Sequence, residues 1–143
     1  KNNNILLKVF KDISETNPDL RLYITLSFKN REEFIAPNII FLDYVTKEKV
    51  SEMINKCNYI VHPSLKESFG LVLIEAANKN KIVLASDLPY VTEIIKPSLT
   101  FKPDCQKSIY DAIISTQTKD FEGSKLKIKN KIINLIKLIS NEI

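Results

Sequence analysis

Residues 59–85 read YIVHPSLKESFGLVLIEAANKNKIVLA, and the order of their segments decides the fold class. Tyr59-Ile60-Val61-His62 is a short apolar strand halted by Pro63-Ser64. Phe69 to Ala77, apolar apart from Glu75, is long enough for a mostly buried helix, and Ile82-Val83-Leu84-Ala85 is a strand again. Strands this short and this uniformly apolar belong to a parallel sheet covered on both faces. The same alternation holds outward in both directions. Upstream, Ile5, Leu6, Val9, Phe10 and Ile13 share one helical face, and Asn17-Pro18-Asp19 ends that helix. Strands follow at 20–26 and 39–42, and Val50, Met53, Ile54 and Cys57 mark a helix between the second strand and Tyr59. Downstream come a turn at Asp87-Leu88-Pro89, a short helix around 91–95 and a strand at 99–101. Asp104 can cap a helix whose core face is Ile109, Ala112 and Ile113. Gly123-Ser124 introduce a last Lys/Ile/Leu-rich helix. The expected fold is a doubly wound, Rossmann-like α/β sheet. Because the chain opens on a helix, a strand before Lys1 is expected to belong to the same sheet.

Composition narrows the chemistry. The chain has 143 residues, formal net charge +4, 44% hydrophobic residues, two glycines, two cysteines and one histidine. Two glycines cannot write either G-x-G-x-x-G or G-x-x-x-x-G-K, which removes both glycine-rich nucleotide loops. His62, Cys57 and Cys105 cannot assemble a zinc set by themselves. Residues from Lys119 onward carry +3 of the +4, so the body is close to neutral. Arg21 and Arg31 are the only arginines, and nucleic-acid recognition usually recruits that planar fork, so no nucleic-acid partner is expected. No apolar run reaches the ~18 residues of a membrane span, and no signal peptide is legible. A cytoplasmic location is expected.

In doubly wound sheets ligands bind beyond the carboxyl ends of the strands, so the loop after His62 is where chemistry should sit. Ser68 reads as an N-cap, which would leave the N–H groups of Phe69, Gly70 and Leu71 as free first-turn donors for an anion. Gly70 would let a phosphate or sugar approach the backbone, at a cost of about 1 kcal/mol against alanine. Glu67 and Glu75 bracket this helix start. Seven residues past the cap puts Glu75 about 10 Å along the axis, a ligand-sized gap between two carboxylates that can each accept from paired hydroxyls. Taken alone, Glu67 reads as a solvated loop acid and Glu75 as one half of a structural pair with a lysine. Cys57 and Cys105 read as bystanders in the core or on the surface.

The stretch P-S-L-K-E-S-F-G-L-V-L-I-E-A-A, followed by I-V-L-A-S-D-L-P-Y-V-T-E-I-I, resembles the donor-binding half of retaining, nucleotide-sugar-dependent family 4 glycosyltransferases of the GT-B fold. Their E-x7-E motif falls on Glu67 and Glu75. The resemblance implies that residues 1–143 are one nucleotide-sugar-binding domain, without its first strand and without the N-terminal acceptor domain. It implies a catalytic role for Glu67 at the donor sugar, and donor contacts from Ser68, Phe69, Gly70 and Leu71. Glu75 would hold the ribose, Tyr44 and Val45 would lie near the base, and His62 and Glu93 are further candidates. It implies a UDP- or GDP-linked sugar as donor, no metal and no cofactor, and charge stabilisation by the helix start and basic side chains. The acceptor would be a glycan or lipid-linked sugar, as in cell-envelope polysaccharide or lipopolysaccharide synthesis, with the missing domain supplying its site. The basic C-terminal helix would then suit peripheral contact with the inner face of the plasma membrane. The chain departs from the family pattern in three places. Asn78-Lys79-Asn80-Lys81 lacks the usual glycine, Leu88-Pro89 stand where a double glycine precedes the last acid, and the basic loop after the first strand is missing. Two alternatives stay open: a non-enzymatic, receiver-like or regulatory module, with Asp43 as its only early strand-end aspartate, and a GT-B sugar-nucleotide epimerase.

Overall fold

The computed structural model describes residues 2–26 and 32–128. Helix α1 (Asn3–Thr16) buries Leu6, Leu7, Val9, Phe10 and Ile13, the predicted stripe, and leads to β1 (Leu22–Ile24). After a 3-10 turn at Glu32–Phe34 come β2 (Ile39–Phe41), α2 (Lys47–Lys56) and β3 (Tyr59–His62). Helix α3 (Leu71–Asn78), β4 (Ile82–Ser86) and α4 (Pro89–Ile94) follow. The described chain closes with β5 (Ile95–Lys96), β6 (Leu99–Phe101), α5 (Gln106–Ser115) and β7 (Lys125–Leu126).

The predicted doubly wound α/β organisation is present. Strand β1 runs parallel to β2 with Leu22 opposite Ile39, and β4 lies between β3 and β6, parallel to both, with Val83 opposite Ile60 and Ala85 opposite Thr100. Alternate residues of each strand point to opposite faces, and β4 shows what this does to the core. Leu84 packs with α1, α5 and the β1–β2 pair, while Val83 and Ala85 pack with α3, α4 and Ile54 of α2. The sheet therefore separates two hydrophobic layers, with α1 and α5 on one side and α2, α3 and α4 on the other.

Asn38 ties the first layer together. It is 1% exposed, and its amide nitrogen donates to the carbonyls of Phe10 at 3.1 Å and Leu20 at 3.2 Å. Its backbone carbonyl accepts from the Leu22 N–H at 2.8 Å. One side chain thus joins α1, the approach to β1 and the approach to β2.

Three expectations need correction. Ser68 does not cap α3. The helix starts two residues later, with Gly70 as N-cap at φ +60°, so the first-turn donors belong to Leu71, Val72 and Leu73 rather than to Phe69 and Gly70. The first helical bond runs from the Ile74 N–H to the Gly70 carbonyl. Glu75 is thus five residues past the cap, about 7.5 Å along the axis. Asp104 does not cap α5 either; Cys105 occupies the N-cap, without a side-chain bond. Gly123 and Ser124 do not open a helix directly. The Ser124 N–H and hydroxyl both reach the Lys81 carbonyl at 2.8 Å, and residues 125–126 then pair antiparallel with β5. Apolar 3.6-residue spacing cannot register that a two-residue strand has found a partner some thirty residues upstream. The remainder of the expected C-terminal helix, residues 129–143, lies outside the described residues.

One departure from the family pattern acquires a physical reason. Asn80 sits where the usual glycine would be and carries φ +52°. Asparagine is the side chain best suited to this left-handed position. The Asn80 and Lys81 N–H groups bond the carbonyls of Ala77 and Ala76, a Schellman closure of α3. Gly123 is also constrained, because a Cβ there would lie 2.3 Å from the Asn80 carbonyl oxygen.

Two stability predictions follow from these contacts. Asn38→Ala should lower the unfolding free energy by about 1–3 kcal/mol, because two buried carbonyls lose their donor. Gly70→Ala should cost about 1–2 kcal/mol through its left-handed backbone, with added crowding from Ile94 Cδ1, 2.5 Å from the new methyl. Urea midpoints at constant m-value measure both.

Candidate functional site

The site lies at the carboxyl end of β3, where Pro63 and Ser64 leave the sheet and the chain loops to α3. His62 closes the strand opposite Ala85. The residue is buried, at 8% exposure. Its Nε2 lies 3.8 Å from a Glu67 carboxylate oxygen, a distance that becomes an ion pair only when the ring is protonated. Tyr90 of α4 meets the His62 ring edge-on at 6.2 Å between centroids. Its hydroxyl donates to the Ser64 carbonyl at 2.6 Å. Burial pushes the Tyr90 phenol up to about 12, with the Glu67 carboxylate adding to the shift. His62, Glu67 and Tyr90 therefore form one cluster, which orients the loop ahead of α3.

Glu75 belongs to a second cluster. One of its carboxylate oxygens is 3.5 Å from the Lys79 ammonium, one helical turn on. The ammonium also donates to the Ser51 hydroxyl at 2.7 Å and to the Ser51 carbonyl at 3.1 Å. Lys79 thereby bridges α3 to α2. The pairing with a lysine that the residues alone allow is present, and with Glu75 28% exposed its carboxylate is still within reach of solvent.

The other candidates follow the carboxyl ends of β2, β3 and β4 in the chain. Ser68, Phe69 and Leu71 are exposed and Gly70 is buried. Phe69 at 69% and Leu71 at 64% are unusually open for large apolar side chains at a loop-to-helix junction, as is Leu65 at 51%. Tyr44 is 92% exposed in the loop between β2 and α2. Val45 is half-buried there, and the next residue, Thr46, caps α2 by accepting from the Lys49 N–H. Glu93 is exposed on α4. Cys57 ends α2, and burial pushes its thiol up, away from reactivity.

Three functional neighbours were not picked out by sequence reasoning. Lys79 was detectable as the i+4 cation to Glu75 on a helix. Ser51 and Tyr90 had no local signal, since each joins the site from a different helix. Among the described residues no three His, Cys, Asp or Glu side chains converge on one point. No helix among them is long and apolar enough to cross a membrane.

Comparison with known proteins agrees with the resemblance. Residues 1–131 match the family described as glycosyl transferases group 1. The O-antigen chain mannosyltransferase RfbU of Salmonella typhimurium is 34% identical over 80 residues, covering 55% of this chain and 23% of that protein. The phosphatidylinositol N-acetylglucosaminyltransferase GPI3 subunit of Saccharomyces cerevisiae is 22% identical, covering 96% of this chain and 29% of that protein. The chain thus spans less than a third of the length of either relative. Among solved structures, the crystallised C-terminal domain of the group 1 family protein LpcC from Francisella tularensis superposes with TM-score 0.67 at 18% identity, covering 83% of this chain and 70% of that one. That likeness is one of fold. By the sequence match over residues 1–131 the chain belongs to the group 1 glycosyl transferase family, and it has the fold of the C-terminal, GT-B half of such an enzyme.

Proposed function

We propose that this chain is the donor-binding part of a retaining hexosyltransferase that takes a sugar from a UDP- or GDP-linked donor. The carrying observation is the placement of the two glutamates around one helix start. Glu67 stands in the loop at the carboxyl end of β3, and Glu75 stands on α3 past its cap. Between them the N–H groups of Leu71, Val72 and Leu73 precede the first helical bond. Those dipoles favour an anion. In this reading a diphosphate lies at the α3 start without a metal, its ribose hydroxyls donate to Glu75, and its sugar reaches Glu67. The 3.8 Å approach of His62 places an imidazole beside Glu67 that can pair with it when the ring is protonated. Tyr44 and Val45 border the base, and Glu93 faces the sugar end from α4.

Membership of a glycosyltransferase family leaves no place for the receiver-like reading of Asp43. The mannosyl- and N-acetylglucosaminyltransferase relatives support a hexose-type donor, and the O-antigen relative supports a cell-envelope glycan or lipid-linked acceptor. The acceptor site would belong to a further domain, which would also cover the exposed Leu65, Phe69 and Leu71. This 143-residue chain by itself is therefore expected to transfer no sugar. A cytoplasmic position at the inner face of the plasma membrane fits such an acceptor.

Isothermal titration with UDP, GDP and their sugars tests the donor reading. One nucleotide series should bind, and Glu75→Gln should weaken it by about 10- to 100-fold, the loss of one or two hydrogen bonds to a charged group. If Glu75 only braces Lys79, the substitution lowers the urea midpoint and leaves nucleotide affinity unchanged, which would sink the ribose assignment.

Tyr90 supplies a pH prediction. An unfolded tyrosine ionises near 10, whereas the folded one does so at about 12. The native state therefore holds this proton where the unfolded state has lost it. The Tyr90 contribution to stability is complete below pH 10 and disappears as pH rises from about 10 to 12. Near-ultraviolet titration should show one late phenol that is absent in Tyr90→Phe, and that variant should lose less stability over the same interval.

A further inference from the structure

A lysine on a helix surface ordinarily leaves its ammonium in water on a flexible stem. Lys79, the C-cap of α3, is placed otherwise. Its ammonium crosses to α2 and donates to the Ser51 hydroxyl at 2.7 Å and to the Ser51 carbonyl at 3.1 Å. The chain around this bridge is fixed as well. Lys81 donates to the Asn55 and Cys57 carbonyls at 2.6 and 3.0 Å, taking up acceptors that the last turn of α2 leaves open. Asn80, in the left-handed region between the two lysines, closes α3. Ser51 is therefore held at a set distance from α3, and the Lys79 ammonium with it.

The contact of that ammonium with Glu75 is of another kind. At 3.5 Å it lies beyond the usual length of a hydrogen bond, so Lys79 acts on the carboxylate as a charge and leaves its lone pairs to other donors. We propose that Lys79 is a positioning residue for the donor: its ammonium, anchored on Ser51, holds the Glu75 carboxylate in the orientation from which it accepts the ribose hydroxyls. The inference rests on the reading of Glu75 as the ribose acceptor and adds to it the residue that orders that acceptor. A glutamate side chain within reach of solvent otherwise samples several rotamers, and fixing it on binding costs affinity. Lys79 fixes it beforehand. The same bridge joins Glu75 to α2, whose start is capped by Thr46 next to Tyr44 and Val45, so the ribose and base contacts belong to one connected unit.

Isothermal titration of this chain with UDP and GDP, each against its 2′,3′-dideoxy form, tests this. Base and diphosphate are common to each pair, so the affinity ratio isolates the ribose hydroxyls. That ratio should be about 10- to 100-fold in the unsubstituted chain. Lys79→Met keeps the apolar stem and should cut it about 3- to 10-fold, the scale of one side chain immobilised on binding. The lost charge acts on both nucleotides of a pair alike and cancels. Ser51→Ala keeps the charge, removes only the hydroxyl anchor, and should cut the ratio about two- to threefold. Glu75→Gln combined with Lys79→Met should lie no lower than Glu75→Gln alone, because Lys79 acts through the carboxylate. The proposal is overturned if both single variants leave the ratio intact, or if they weaken both nucleotides equally, as a brace between helices would. A ratio that collapses in Glu75→Gln and survives in Lys79→Met removes the role of Lys79 alone. A ratio insensitive to Glu75→Gln, or a chain that binds neither nucleotide, removes the ribose assignment and this inference together.

Discussion

Strand β4 is the element on which the rest of the molecule leans. It is hydrogen-bonded along both edges, to β3 and to β6, and its four residues from Val83 to Ser86 are at most 1% exposed. A strand so placed cannot slip by one residue. The pleat would carry Leu84 into the layer of α3 and α4, and Val83 and Ala85 into the layer of α1 and α5, so both cores would be filled with the wrong volumes. Register in β4 therefore sets the register of β3, and the end of β3 is where His62 and the loop to Glu67 begin.

The loop is positioned from outside itself. The Tyr90 hydroxyl holds the Ser64 carbonyl, and Ile94 closes over Gly70 so tightly that a methyl group there would meet it at 2.5 Å. Both residues come from α4, whose place is set by burial of Val91 and Ile94 against α3 and β4. A glycine in the left-handed region at the start of α3 lets the chain turn sharply out of the loop and into the helix. The free N–H groups of the first turn are consequently those of Leu71 to Leu73, two residues later than a serine cap would make them. Glu75 gains a fixed direction from Lys79, which is itself anchored on Ser51 of α2.

Much of this was legible in the residues. The apolar faces of α1 and α5, the strand segments and the strand–loop–helix order around Glu67 followed from periodicity and from Pro63, because burial on a helix or strand leaves a repeat of 3.6 or 2 in the chain. The start of α3 was misplaced because Ser68 carries a strong local capping preference, whereas the helix begins after Gly70, whose left-handed backbone lies close under Ile94, distant in sequence. Asp104 misled in the same way. The pairing of β7 with β5 left no mark in the apolar pattern, because two residues are too few to show a period.

The amino-acid sequence by itself determined the alternation of strands and helices, the two-sided burial of the sheet, the E-x7-E spacing and, through it, the family. These depend on composition and on intervals of a few residues, which the chain carries wherever it lies in space. The tertiary structure alone decided which donors are free at α3, that His62 and Tyr90 share a cluster with Glu67, and that Lys79 spans from Glu75 to Ser51. Each of these depends on elements far apart in the chain meeting at one place, and only packing fixes such meetings.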